Sequence, residues 1–383
     1  MDNTHKKASA ISHPIRLRIY DDELLTSYLS RLAHSQGVVV HTLAVGLWGN
    51  GNRLSQDIDR SVPTEYLKVL REHYGVDRYQ SLEDDLAQLR CDDKNNYQDP
   101  NLLNLCLRGR MRNKAGQQYC PACLVERCYF RRSWRLSIHP VCTEHHCLLL
   151  NRCPHCSSVI DPTKTSPMSK DIGYCAFCWN NLRVDNTVLE FETPKLLLAI
   201  LDSVKTGWFE YENLRLRACM FMQGLWRIVY ALYGIRSEKL NLWENLCSYF
   251  ETNYQPLTKN RPYYNFKDES PEVRLKILSV VDRLLVGWPD TFIAVSKELG
   301  LGISHFDPAN KGMPYWLDEI VRRDLNKGWY RVNTEEMQSC LLYMKKNQIP
   351  ITRSGLAREL GLDVSKKLSP DEKFLFEEFR RSH

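Results

Sequence analysis

Four pairs of metal-donor residues, each with a two-residue gap, lie between positions 120 and 178: Cys120-Pro-Ala-Cys123, Cys142-Thr-Glu-His145, Cys153-Pro-His-Cys156 and Cys175-Ala-Phe-Cys178. Eighteen residues separate Cys123 from Cys142, and eighteen separate Cys156 from Cys175. A gap of two lets both donors of a tight turn face one ion, and two such turns complete a tetrahedron. The spacing predicts two structural zinc ions, one held by Cys120, Cys123, Cys142 and His145, the other by Cys153, Cys156, Cys175 and Cys178. Equal spacers favour sequential sites, and a cross-braced pairing stays open, as do the nearby donors His139, His146, Cys147 and His155. Each site already has four protein donors, so neither leaves the position that a catalytic zinc keeps for water.

The competing use of so many cysteines is disulfides. The stretch Met1 to Ser12 is polar and lacks the apolar core of a secretory signal, and no run reaches the roughly 18 apolar residues of a membrane span. A cytoplasmic protein with reduced thiols is expected, and there paired CxxC runs indicate metal. The other cysteines (Cys91, Cys106, Cys128, Cys147, Cys219, Cys247 and Cys340) have no pair spacing and read as packing residues.

With 383 residues, two or three domains are expected. The formal charge of +6 is concentrated: from Arg108 to Arg152 nine Lys and Arg face only Glu126 and Glu144. Such a cluster suits phosphate contacts on nucleic acid, and part of it suits neutralisation of metal-bound thiolates. Arg127, Arg131, Arg132 and Arg135 are the candidate phosphate- or partner-facing group, with Arg135 also a candidate for the interior, and Trp134 is expected beside the first metal.

The fold class expected is mainly α with a small zinc-stabilised module. Residues 1–112 form a helical region, with Leu24, Leu25, Tyr28, Leu29 and Leu32 at helical spacing, Gly37 as a stop, Thr64 as an N-cap and a capping-box pattern at Ser81. Residues 113–188 form the tandem metal module, in which Tyr129 to Ile138 reads as a strand and Cys147 to Asn151 as its partner. Residues 189–254 are helical, including Glu210 to Tyr233. Tyr254 to Pro271 reads as a linker or exposed loop, and 272–383 as a second helical region. Within the last, Lys297-Glu-Leu-Gly-Leu-Gly-Ile-Ser304 is echoed by Arg358-Glu-Leu-Gly-Leu-Asp-Val-Ser365. An apolar helix face, a glycine, a leucine plug and a serine cap describe two helix-turn-helix corners. Lys366 and Lys367 make the second the better DNA candidate.

No Gly-rich phosphate loop, nucleophile elbow or strand-mounted carboxylate cluster occurs, so an enzyme is not expected. A metal-supported nuclease would need carboxylates that converge only in space.

Tyr119-Cys120-Pro121-x-Cys123, Arg132-x-Trp134-Arg135, Cys142-x-x-His145, Leu148 and Cys153-Pro154-x-Cys156 together resemble the TniQ/TnsD family of transposition target-selection proteins. The segment Asp22-Glu-Leu-Leu-Thr-Ser-Tyr-Leu-Ser-Arg-Leu-Ala33 is similar to that family's amino-terminal signature, so the resemblance covers about residues 15 to 180. It implies a non-enzymatic adaptor in bacterial DNA transposition, bridging target recognition to an AAA+ ATPase of the TnsC type. Chain length favours the members of CRISPR-associated transposons, which dock on an RNA-guided effector complex at target DNA, some as homodimers. The alternatives are a TnsD-type protein that binds an attachment site directly, and a stand-alone helix-turn-helix transcription regulator.

Overall fold

A computed structural model describes residues 15–49, 54, 57–77, 79–91, 99–103, 105, 116–184, 193–233, 242–251, 265–308, 312–325, 334–360 and 370–381. The three- and four-residue spacing of Leu25, Tyr28, Leu29 and Leu32 winds α1 (Leu25–Ser35), whose end is closed by Gly37 at φ 67°. Helices α2 (Val40–Trp48) and α3 (Thr64–Tyr74) bury Leu43 and Leu70 against it in a small core of their own. Thr64 is the first helical residue and not the cap: Pro63 holds the N-cap position, and no side chain caps this end. At α4 (Leu82–Ala87) the capping box does form, with the Ser81 N–H and hydroxyl donating to Asp84 and the Asp84 N–H donating back.

The metal module follows with little regular structure: α5 (Pro121–Glu126) and a two-residue ladder of β1 (Val141–Cys142) with β2 (Cys147–Leu148), Cys142 facing Cys147. The strand expected over Tyr129 to Ile138 is absent. Arg132–Arg135 form a 3-10 turn instead. Arg132, Trp134 and Arg135 are all buried, which strict alternation of faces does not allow; a helical turn puts positions three apart on one side. The expected partner of that strand, around Cys147, pairs with Val141–Cys142 instead.

A second difference lies in Glu210 to Tyr233. Its first part is a hairpin of β3 (Trp208–Tyr211) and β4 (Leu214–Arg217), and only then does helix α7 (Ala218–Tyr233) begin. The run Leu214-Arg-Leu-Arg217 has a period of two, with the leucines buried and the arginines exposed, and Glu212 takes φ 50° at the turn. Helix α6 (Lys195–Thr206) packs on this hairpin. The end of the expected linker is also not exposed: Phe266 and Lys267 are buried, and the Lys267 ammonium donates to the Asp99 carbonyl.

One large core runs from the metal module (Tyr119, Cys120, Phe130, Trp134, Leu149) into the helices that follow, through Leu196, Phe221, Leu278 and Trp316. Arg274, fully buried on Pro271–Leu285, stitches these parts by donating to the Ser137 carbonyl and the Gln118 side-chain oxygen. The helices Thr334–Lys346, Arg353–Glu359 and Pro370–Arg381 share a separate cluster around Leu341, Met344 and Phe376. No described helix is long and apolar enough to cross a membrane.

The first glycine corner turns as its sequence demands. Gly300 takes φ 67°, and Leu301 is buried after it. The next helix, Ile303–Phe306, is a single turn, with Gly302 rather than Ser304 at its N-cap, and Phe306 packs on Phe292. Of the second corner, Arg353–Glu359 is helical, with the Thr352 hydroxyl accepting from the Gly355 N–H; the rest, with Lys366 and Lys367, lies outside the described residues.

Candidate metal centres

Two groups of four donors converge. Cys120, Cys123, Cys142 and His145 form one, and Cys153, Cys156, Cys175 and Cys178 the other, with the donor atoms of each group within 4.8 Å of one another. A tetrahedron with Zn–S bonds of about 2.3 Å has S···S edges of about 3.8 Å and S···N edges of about 3.6 Å. The Cys123–Cys142 sulfurs are 3.6 Å apart, and His145 Nδ1 lies 3.7, 3.3 and 3.6 Å from Cys120, Cys123 and Cys142. In the second group the Cys153–Cys178 and Cys156–Cys175 edges are 3.6 and 3.7 Å. These are the edges of a metal tetrahedron, so each cluster could hold one ion. None of the described cysteines is in a disulfide.

Local backbone chemistry builds the donors. Pro121 at the first turn of α5 fixes the helix start, and the Cys120 sulfur accepts from the Cys123 N–H. The other three pairs are followed by residues in the left-handed region: His146 at φ 48°, Ser157 at 59° and Trp179 at 62°. In the second cluster this closes each knuckle: the Ser157 N–H donates to the Cys153 carbonyl, and the Trp179 N–H to the Cys175 carbonyl. Backbone and amide donors also point at sulfur, Phe177 N–H to Cys175 and Asn180 Nδ2 to Cys178. Such bonds favour the thiolate form that a metal requires.

The thiols respond unequally: hydrogen bonding among them pulls Cys120 and Cys142 down and pushes Cys123 up, and burial raises Cys153 and Cys175. Bonds from Cys120, Cys123 and Cys147 hold the Cys142 thiol far below the usual range. Bonds from Ser158 lower exposed Cys156 to about 6. Burial would lower His145, yet its contacts with Cys142 and Glu126 raise it to about 9. His145 Nε2 lies 3.0 Å from Glu126 Oε1, a partner that fixes the ring with Nδ1 toward the sulfurs.

The four arginines of this module divide by depth. Arg135 is 0% exposed and donates to both Asp57 oxygens and the Leu103 carbonyl, with Asp59 3.5 Å away. Arg132 is buried against Asp85 and the Asp21 carbonyl. Arg131 bridges Glu144 and Asp22 at the surface of the first cluster. Arg127 is exposed, its guanidinium 5.9 Å from the centre of the Tyr20 ring. Arg108, Arg110, Arg112 and Lys114 lie outside the described residues.

Sequence reasoning missed the acidic side of this brace. Glu23 is fully buried; its carboxylate accepts from the Arg31 guanidinium and the Ser27 hydroxyl, while Ser27 Oγ accepts from the Phe130 N–H. The Leu24 N–H donates to the Phe130 carbonyl, and the Arg132 N–H to the Asp22 carbonyl. The Asp22-Glu23 and Arg131-Arg132 segments are thus zipped together. Complementary charges at both ends were the available signal. The second cluster is tied on by Arg183, which donates to Asp171 and the Leu124 carbonyl.

The architecture is that of a tandem metal-knuckle module braced by buried ion pairs onto an N-terminal helical domain. Residues 14–149 match the TniQ family model, which supports a target-selection or DNA-binding role in transposition. The match takes in α1 to α4 and the first cluster and stops before Cys153. The chain is also similar to the DNA polymerase III subunit delta of Buchnera aphidicola subsp. Acyrthosiphon pisum (strain APS), 26% identical over 159 residues, 40% of this chain. It spans only 38% of that protein's length, too little to carry an activity across.

Proposed function

We propose that the protein is a non-enzymatic target-selection adaptor of bacterial DNA transposition, working in the cytoplasm. It links an RNA-guided CRISPR effector at target DNA to an AAA+ ATPase of the TnsC type. The observation that carries this reading is the TniQ match across the N-terminal helices and the first donor cluster, two parts that the structure welds into one body. Zinc is the ion proposed for both clusters, since three or four thiolates in a tetrahedron suit it and four protein donors suit a structural role. When bound, it supplies a crosslink and no reaction step.

The placement of the arginines favours docking on a protein complex over a direct grip on duplex DNA. Arg132 and Arg135 are committed to interior carboxylates, and Arg131 to Glu144 and Asp22, so fewer cations remain for phosphates than the sequence count suggests. Arg127, with Lys366 and Lys367, is the proposed nucleic-acid or partner contact.

Co-purification from cells expressing the neighbouring genes tests this. The chain is expected to elute with a guide-RNA effector and an AAA+ ATPase, and to bind isolated duplexes weakly. Tight binding of the purified chain to one short duplex, without the other components, would favour a TnsD-type attachment-site protein or a transcription regulator. Mg²⁺-dependent cleavage of DNA would overturn the non-enzymatic assignment.

A further inference from the structure

A fifth sulfur lies beside the first cluster, outside its set of four converging donors. Cys147 is 3% exposed, and its sulfur lies 3.5 Å from the Cys120 sulfur. It sits opposite Cys142 in the β1–β2 ladder, and its thiol also bonds Cys142. Two of the proposed metal-binding thiols thus have this third sulfur beside them, and its spacing to Cys120 matches the edges of the cluster itself. His145 is placed differently. Its side chain is 23% exposed, it reaches the sulfurs from the Thr143–His146 turn, and its far nitrogen faces Glu126, which is 60% exposed. One donor of the set is therefore peripheral, and a spare thiol of greater affinity for a soft ion is held inside.

We propose that Cys147 is a reserve ligand of the first metal site, converting it from three cysteines and a histidine to four cysteines when His145 is drawn away. The inference rests on the zinc reading above. In the exchange the metal–Nδ1 bond breaks and a metal–Sγ bond forms. The Cys147 thiol proton passes to the released imidazole, which then faces Glu126 as a cation. The site gains one negative charge, and the ion stays. A partner that captures His145 or Glu126 at the surface would shift negative charge onto the metal site and positive charge onto the imidazole without unfolding the module.

The test uses the full chain. Wild type, His145→Ala, Cys147→Ala and the double variant are purified with zinc, and metal per chain is measured by elemental analysis. The expected pattern is about two ions in wild type and both single variants, and about one in the double variant. With cobalt(II) in place of zinc, His145→Ala should show stronger thiolate-to-metal charge transfer than wild type. Loss of an ion from His145→Ala alone would overturn the proposal, as would retention of both ions by the double variant. Loss from Cys147→Ala would overturn it too, by making Cys147 a resident ligand. Wild type with no bound metal would defeat the zinc reading itself.

A kinetic measurement avoids dependence on the folding of His145→Ala. Wild type and Cys147→Ala are treated with a chelator, and maleimide labelling of Cys120 and Cys123 is followed by mass spectrometry. Labelling should be several-fold faster in Cys147→Ala, because an ion that loses His145 there has no replacement donor. Equal rates would overturn the proposal.

Discussion

The two donor clusters have the same ligand count and unequal exposure. The first is built into the main core: Cys120, Cys123 and Cys142 are buried beside Leu124, Phe130 and Trp134, and its first pair opens a helix. The second lies at the edge of the same core: Cys153 and Cys175 are buried in it, while Cys156 is exposed and Phe177 and Trp179 stand in solvent. The family match covers the first cluster and ends before the second. Ligand spacing therefore specifies a crosslink but not what the crosslink supports. That depends on how much apolar surface and how many ion pairs gather around it.

The largest expected difference comes from removing each crosslink. Structural zinc is worth on the order of 10 kcal/mol in small peptides, comparable to the whole stability of a domain. Cys120→Ser with Cys123→Ser should lose one ion and the cooperative unfolding transition, because both residues are buried in the main core with Trp134. Cys153→Ser with Cys156→Ser should also lose one ion yet keep a cooperative transition at lower temperature. Elemental analysis with calorimetry reads both, and equal damage from the two variants would erase the contrast.

The arginine struts give the next effect. Arg135 is fully buried between Asp57, Asp59 and the Leu103 carbonyl, so Arg135→Ala leaves buried Asp59 and partly buried Asp57 without their cation and should cost about 3–5 kcal/mol. Arg183, half-buried between Asp171 and the Leu124 carbonyl, should cost about 1–2 kcal/mol as Ala. Urea denaturation measures both, and a reversed order would place the mechanical burden on the second cluster.

Acid should divide the clusters as well. Burial lowers His139, whose Nδ1–H donates to the Ser133 carbonyl, from 6.5 to about 4. The folded protein thus keeps His139 neutral while the unfolded chain takes up a proton below pH 6.5. The stability from this group is complete above pH 6.5 and is lost as pH falls toward 4, up to roughly 3 kcal/mol. His139→Gln should flatten that part of the stability profile while leaving the acid sensitivity of the thiolates. An unchanged slope would remove His139 from the account.

How much of this was legible in the sequence follows from range. The eight donors declare themselves because each pair is local and spacing alone makes a turn; the helices around Leu25, Thr64 and Pro271 declare themselves by periodicity. Arg132 did not, and Arg135 was only one candidate for the interior, because an arginine looks basic until its acid is found, and Asp57, Asp59 and Asp85 lie 47 or more residues away. The turn at Arg132–Arg135 was read as a strand because Phe130 to Leu136 alternates loosely in polarity, and only three-dimensional packing asks three neighbours to face inward. The hairpin at Trp208–Arg217 was absorbed into the helix that follows because its two-residue period lasts for only four residues a strand.

The smallest effect is expected at Trp179. It follows a ligand directly, as an aromatic in the core would, yet it is 52% exposed, whereas Trp134 near the first cluster is 1% exposed. Its φ of 62° comes from closing the knuckle, so the backbone needs the turn and not the ring. Trp179→Ala should change stability by no more than about 0.5 kcal/mol and leave both ions in place. Trp134→Ala should cost about 3–5 kcal/mol. Chemical denaturation of the two variants side by side reads the difference. A loss above 1 kcal/mol at Trp179 would mean that the second cluster carries a packed surface of its own, and the division between a core staple and a surface knuckle would fail.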